Sequence, residues 1–429
     1  MRILLTGATG FIGSAVLARL KADGHEVLAV SRSAGPAARR LAPDRWIALD
    51  MARASQPADW TPHLQGVDAV INCAGVLQDG GRDSTAGVHV RGAEALFAAC
   101  EAAGVRRVIH LSAIGADRGG VSSFSATKAE GDQALASRDL DWVILRPSVV
   151  VGGAAYGGSA LFRGLAALPF LPRTPDAGPL QIVQLDEVVE TVLFFLRPEA
   201  PGRLALELAG PERLGFDEVV AAYRRWLGYA PAKRAPGGFL LPLAYRLGDL
   251  AGAFGWRPPI RSNARREIVR GAVGDPTEWT ARTGIQLRQF AAALAAQPAS
   301  VQERWFANLY LMKALVFVVF AGFWLATAFI SIGPGYERGE RLMQLAGAGP
   351  LSGPSVVAGA FADLVIGLGL LWRRTARLAL WGALGLSIFY LIAGTILLPE
   401  LWAEPLGPMT KIFPIMVLNL VALAILEDR

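Results

Sequence analysis

Three glycines near the start of the chain carry the clearest chemistry. The run Gly7-Ala8-Thr9-Gly10-Phe11-Ile12-Gly13 follows the apolar stretch Met1–Thr6 and precedes a helical pattern over Ser14–Ala22. Glycines at this spacing allow a tight turn, a close approach of backbone to a pyrophosphate, and close packing of the helix on the strand. The phosphates would meet free N–H groups at the helix start. Gly7, Thr9, Gly10, Phe11, Ile12 and Gly13 are therefore candidate dinucleotide contacts. A second apolar run, Glu26–Val30, ends at Ser31-Arg32, where an NAD-selective site often places a carboxylate on the ribose hydroxyls. No carboxylate stands there. Arg32, with Ser31 and Arg39 or Arg40, suits a 2′-phosphate, which favours NADP over NAD; a solvated arginine is the alternative. Asp50, after Trp46–Leu49, falls at the adenine end, and Asn72-Cys73-Ala74-Gly75 falls near the middle of the cofactor, so Asp50, Asn72, Ala74 and Gly75 join the candidates, with the shaping of a loop as the alternative for each feature.

These residues need a scaffold, and the pattern around them supplies one. Strand-length apolar runs at Glu26–Val30, Ala69–Asn72, Arg107–Leu111 and Trp142–Leu145 alternate with helical patterns at Ser14–Ala22 and Gly92–Ala102. Such alternation predicts an α/β fold, a parallel sheet with helices on both faces. From about 150 to 300 the alternation loosens around two helical stretches, Leu185–Leu196 and Phe216–Gly228, and predicts a small substrate-side lobe.

The last third of the chain is different in kind. The 429 residues are 53% hydrophobic and 18% charged, below the roughly 25% charged of soluble proteins. After Trp305 come four apolar stretches, about 309–332, 356–372, 378–398 and 412–426, set against the roughly 20 residues that span a bilayer. An all-α transmembrane domain of four helices, about 305–429, is expected after a soluble domain of about 1–300. Arg373, Arg374 and Arg377 lie between the second and third stretches, while the loop with Glu337, Arg338, Glu340 and Arg341 is balanced. By the positive-inside rule this places the N-terminal domain, the Arg cluster and the C-terminus in the cytoplasm of an inner-membrane protein. The formal charge of +6 thus reads as membrane topology, not nucleic-acid binding. Cys73 and Cys100 suggest neither a disulfide framework nor a metal site, and four scattered histidines, His25, His63, His89 and His110, supply no metal or haem ligand set.

The glycine motif, Asp50, Asn72-Cys73-Ala74-Gly75, His110-Leu111-Ser112-Ala113 and Leu145-Arg146-Pro147-Ser148 resemble an atypical extended short-chain dehydrogenase/reductase with a Rossmann-like sheet. Within that group the chain is similar to the dehydrogenase-like accessory subunit of respiratory complex I over about 1–300, including Gln184–Val188 and Leu206–Pro211. The tail resembles the DoxX-like family of four-helix membrane proteins, which includes a subunit of a thiosulfate:quinone oxidoreductase. The resemblance implies NADP or NAD as cofactor, with Pro147 among the cofactor contacts. It also implies a Ser, a Tyr-x-x-x-Lys pair and proton transfer by the Tyr. Here the pair reads Phe124-Ser125-Ala126-Thr127-Lys128. A phenyl ring neither donates nor accepts a proton. Lys128 is kept as catalytic candidate and ribose contact, and Ser112 as catalytic candidate, a strand-end cap being its alternative; Ser122, Ser123 and Ser125 are the hydroxyls around Phe124.

Tyr156 and Arg163 are candidates for a substrate cleft, with a surface role the stronger expectation for both. Lys313 can snorkel to the interface, whereas Asp363 inside the second stretch calls for a partner, a polar cavity or a proton-relay or quinone-site role. Three functions follow: an NAD(P)-binding, bilayer-anchored oxidoreductase acting on a quinone or other lipophilic substrate; a non-catalytic nucleotide sensor or assembly factor of a membrane complex; and a nucleotide-sugar epimerase or dehydratase.

Overall fold

The computed structural model describes residues 1–32, 41–80, 83–119, 122–172, 174, 176–235, 240–258 and 260–426, leaving Arg39 and Arg40 outside the described residues. The chain forms two units, Met1–Asp249 with Pro258–Ala307, and Leu250–Arg257 with Asn308–Arg429.

In the first unit the strands are β1 (Arg2–Thr6), β2 (Glu26–Ser31), β3 (Arg45–Ala48), β4 (Ala69–Asn72), β5 (Arg107–Leu111), β6 (Asp141–Pro147), β7 (Val149–Val151), β8 (Phe170–Pro172), β9 (Ile182–Gln184), β10 (Leu204–Leu208) and β11 (Lys233–Ala235). Seven make one sheet in the order β10-β6-β5-β4-β1-β2-β3, with every pairing parallel. Helices cover both faces, so the strands read as continuous apolar runs. Alternate residues divide between two cores. Ile3, Leu5, Val27, Ala29 and Ile71 face the helices Phe11–Ala22 and Leu185–Phe194, while Leu4, Leu28, Val70 and Val108 face Gly92–Ala103 and Trp60.

The strand β10 lies in the stretch expected to belong to the small lobe. Leu206 and Leu208 alternate inward, and Leu206 pairs with Leu145 of β6, so the segment extends the sheet at its edge. The lobe itself has a third core, built on Phe162, Ile182, Phe216, Val219, Tyr223 and Phe290. Its β7 pairs with β9, which directly precedes the helix Leu185–Phe194 of the sheet domain.

The second unit has four apolar helices. Val301–Ile332, Gly349–Leu371 and Ala376–Leu397 are long and apolar enough to cross a membrane. The fourth, Ile412–Ile425, has 14 residues, about 21 Å at 1.5 Å per residue against a hydrocarbon core of about 30 Å. Phe320, Trp324, Leu370, Leu380, Ala383 and Ala422 pack inside, while Val318, Phe361, Leu378 and Ile396 are exposed, the reverse of a water-soluble surface. A Cβ on Gly367 would lie 2.7 Å from Leu325 Cγ, so the first two helices approach at a small residue. The loop expected around Glu337–Arg341 is instead a helix, Tyr336–Leu345.

Candidate functional site

The glycine turn is held by backbone with no room for side chains. Gly7 has φ +65°, and a Cβ there would lie 2.6 Å from the carbonyl of Cys73. A Cβ on Gly13 would lie 2.2 Å from the Gly7 oxygen, which presses the helix against the turn. Gly10 donates to that same oxygen at 2.9 Å and caps the helix Phe11–Ala22 without a side-chain bond. The first helical N–H groups beside Thr9, Phe11 and Ile12 thus remain for an anion, as a pyrophosphate requires. Tyr156 stacks on Phe11, its ring centroid 5.3 Å away and the planes 12° apart.

Beneath the turn, Asn72 ties three strands together. Its Oδ1 accepts from Thr6 Oγ1 at 2.6 Å and from the Ala74 N–H at 3.2 Å, and its Nδ2 donates to His110 Nδ1 at 3.1 Å. The Asn72 side chain therefore supports the scaffold. At the adenine end, the Ser31 carbonyl accepts from the Leu49 N–H, and Asp50 Oδ1 accepts from the Ala52 N–H at 3.2 Å, closing its own turn. Arg32 pairs with Asp83 at 2.7 Å while its side chain stays 45% exposed.

The helix Ser123–Ala136 carries Phe124 and Lys128. Lys128 is buried, and its Nζ donates to the Leu111 carbonyl at 2.7 Å; a Cβ on Gly75 would stand 3.7 Å from that nitrogen. Burial pulls the ammonium down to about 8, against the pull of Asp132 and the Cys73 sulfur. Burial also pushes the Cys73 thiol up to about 12, so it carries no thiolate at neutral pH. Four residues after Lys128, Asp132 is raised by burial; Ser112 and Arg146 oppose the rise, and Arg146 Nε donates to it at 2.9 Å. Ser112 is buried, and its hydroxyl has no hydrogen-bond partner among the described residues. Pro147 closes β6, its carbonyl accepting from the Ile114 N–H at 3.0 Å.

Phe124 presents its ring edgewise to His89, 5.6 Å between centroids. His89 Nε2 accepts from the Val76 N–H at 2.9 Å, so Nδ1 carries the proton and faces Thr127 Oγ1 at 2.9 Å. Burial and the neighbouring Lys128 lower its pKa to about 2, which keeps the imidazole neutral. Sequence reasoning missed one pair here. Ser122 caps the helix, accepting from the Ser125 N–H at 3.2 Å, and donates its hydroxyl to Glu267, which also pairs with Arg270 at 2.6 Å. Ser122 and Glu267 are 145 residues apart, and no local pattern links them.

Two further expectations concern Arg163 and Asp363. Arg163 is not a surface residue: it is 3% exposed, donates to the carbonyls of Gly152 and Gly153, and lies over the rings of Tyr223 and Trp226. It anchors the Gly152–Gly153 corner after β7. Asp363 is buried within its helix and accepts from Tyr390 Oη at 3.4 Å. At one end of the bundle, Lys313 Nζ and Arg373 Nη2 both reach the Leu426 carbonyl, at 3.4 and 3.0 Å. Among the described residues no group of three His, Cys, Asp or Glu is placed to hold a metal.

Comparison with known proteins fits this geometry. Residues 7–164 match the family model described as NAD(P)H-binding. The N-terminal unit is an NAD(P)H-binding domain of the Rossmann type. Residues 321–420 match the DoxX-like family, so the chain is a membrane protein. An uncharacterized protein of Mycobacterium tuberculosis is 27% identical over 52% of this chain; the chain spans 23%, about a quarter, of that relative's length. A 3-diazoavenalumate denitrifying reductase of Streptomyces is 29% identical over 66% of this chain and 99% of the relative. A ceramide reductase of Caulobacter vibrioides is 23% identical over 53% and 71%. Among solved structures, WbmG of Bordetella bronchiseptica in complex with NAD has a TM-score of 0.54 at 18% identity, covering 72% of this chain and 96% of its own. MoeE5 in complex with UDP-glucose and NAD has 0.53 at 20%, covering 69% and 97%. These two share the fold.

Proposed function

We propose that this protein is a membrane-anchored reductase that passes a hydride from NAD(P)H to a lipophilic quinone or carbonyl compound. The observation that carries the proposal is the glycine cradle with Lys128 beside Gly75, on the same chain as helices that cross a bilayer. The names of the ceramide and 3-diazoavenalumate reductases support reduction as the chemistry. When bound, NAD(P)H supplies the hydride. The N–H groups at the start of the helix Phe11–Ala22 hold the pyrophosphate, Arg32 reaches the ribose 2′ position in exchange for Asp83, and Lys128 contacts the nicotinamide ribose. Ser112, buried with its hydroxyl free of protein partners among the described residues, is left to meet the cofactor or the acceptor.

Phe124 decides which acceptor suits the site. A ketone that takes up a hydride becomes an alkoxide and needs an acid at once, and Phe124 has no proton to give. A quinone becomes the anion of a hydroquinone, a phenolate whose parent titrates near 10, and can take its proton from water afterwards. The site therefore favours a quinone, whose reduced anion takes its proton from solvent. The bilayer supplies such a molecule, and we place the N-terminal domain on the cytoplasmic side of the inner membrane, with Lys313, Arg373 and the end of the fourth helix at that edge.

Offering detergent-purified protein NADPH with a short-chain quinone and with a long-chain ketone tests this reading. Quinone-dependent oxidation supports it; tight binding with no oxidation by either acceptor refutes it. That second result would favour a nucleotide-responsive accessory or assembly factor of a respiratory membrane complex, a reading supported by Phe124 and by the Lys128 bond to the Leu111 carbonyl. An epimerase or dehydratase of nucleotide sugars would instead turn over UDP-sugars with no external acceptor.

A further inference from the structure

The segment 240–270 contains two helices, Leu240–Ala253 and Ser262–Arg270. On the first helix Leu243, Leu247 and Leu250 recur at steps of four and three, which stacks them on one face, and Phe254 follows just past the helix end. They are 53%, 55%, 56% and 36% exposed. The opposite face carries Gly248, where a Cβ would lie 1.7 Å from the Ile260 carbonyl, so the helix packs on the return of the chain by that side and turns its leucines outward.

Two observations say what covers the stripe. The first is continuity with the membrane. The end of this segment, Leu250–Arg257, belongs to the membrane unit. Trp256 Nε1 donates to the Leu371 carbonyl at 2.7 Å where the helix Ser352–Leu371 ends, its ring lies 4.8 Å from Phe317, and the Arg373 N–H donates to the Phe254 carbonyl at 3.0 Å. A tryptophan at the end of a spanning helix, beneath an arginine cluster, marks the headgroup level of a bilayer. The second observation is charge. Between 240 and 270 stand Arg246, Arg257, Arg261, Arg265, Arg266 and Arg270 against Asp249 and Glu267, and these two acids are already paired with Arg261 and Arg270. Apolar residues on one face with arginines around them suit an anionic leaflet.

We propose that the helix Leu240–Ala253 lies in the interface of an anionic lipid leaflet, with Leu243, Leu247, Leu250 and Phe254 inserted below the headgroups. The occupant is lipid. The second helix of the pair carries Glu267, bonded to Ser122, and Arg270, whose guanidinium donates to the carbonyls of Ile114 and Gly115. The docking does not rest on the function proposed above.

The test uses full-length protein, with Cys73 and Cys100 replaced by alanine, reconstituted in vesicles of phosphatidylcholine and phosphatidylglycerol. Nitroxide labels are placed at Leu243→Cys and Leu247→Cys, with Leu378→Cys as lipid reference and Glu278→Cys as aqueous reference. Collision with dissolved oxygen and with aqueous nickel then reports depth. Labels at 243 and 247 that follow Leu378→Cys, about 5–10 Å below the headgroups, support the proposal. Labels that follow Glu278→Cys overturn it. Labels shielded from both probes also overturn it, because protein then covers the stripe. Native NADPH binding by each labelled variant establishes folding, and depth is read whether or not any acceptor is reduced, so failure of the docking and failure of the proposed reaction are separate results.

Discussion

The glycine turn follows β1 and Lys128 stands on the helix after β5, with β4 between the two strands, and these regions tolerate change very differently. At Gly7 and Gly13 the constraint is backbone against backbone, at distances no side chain can occupy. At Phe124 and Lys128 the constraint is the chemistry of two side chains, and Phe124 offers no hydroxyl, its ring packing on His89. The contrast teaches that binding a dinucleotide and reacting with it are separable. A fold keeps the first through geometry, whereas the second follows from which acceptor the remaining groups can serve.

The widest gap should appear with Gly13→Val. Its Cβ meets the Gly7 oxygen, so NADPH affinity should fall by more than about 100-fold, roughly 3 kcal/mol, in a calorimetric titration. Unchanged affinity would mean that the turn does not hold the pyrophosphate. On the helix Ser123–Ala136, Phe124→Tyr should raise the turnover of a long-chain ketone by about 100-fold, as expected for restored general-acid catalysis, and leave quinone turnover nearly unchanged. Equal gains with both acceptors would remove the reason for preferring a quinone.

Lys128→Met sharpens the comparison through pH. The native lysine holds its charge below about 8 and loses it as pH rises, so cofactor affinity should decline above that value. In the variant the inflection should vanish and affinity should fall by about tenfold, near 1.4 kcal/mol. Because the folded-state value lies below that of the unfolded chain, the unfolded chain binds more protons between them, and native stability rises with pH from about 8 towards the free-lysine value. At pH 7, where burial of the charge costs stability in full, Lys128→Met should therefore melt at a higher temperature in calorimetry. The smallest effect is expected from the half-exposed Arg32: Arg32→Ala should reduce the preference for NADPH over NADH by about threefold, roughly 0.7 kcal/mol, by competitive titration. An unaltered ratio would leave Arg32 as the exposed partner of Asp83.

The sheet was legible because parallel strands buried on both faces leave unbroken apolar runs such as Ile3–Leu5 and Ala69–Ile71. The cradle was legible because glycine spacing is local. By contrast, β10 was assigned to the lobe: its Leu-Ala-Leu-Glu-Leu alternation is a strand signal, but its partner β6 is over fifty residues away in sequence. Arg163 looked like a surface residue because arginine usually is one; its burial depends on two backbone carbonyls and two rings supplied by distant segments. The Ser122–Glu267 pair had no local signal at all. The stripe on Leu240–Ala253 had the right spacing, but the same spacing describes a core helix, and only the solvent exposure of its leucines separates the two.

The most direct test of reduction at this site is a single experiment in lipid nanodiscs: bind NADPH to the purified full-length protein, add a short-chain quinone, and follow loss of the reduced-nicotinamide absorbance together with hydroquinone formation. One hydroquinone per NADPH consumed, abolished by Gly13→Val, is the expected result. Tight NADPH binding with no consumption across quinones and long-chain ketones would contradict it.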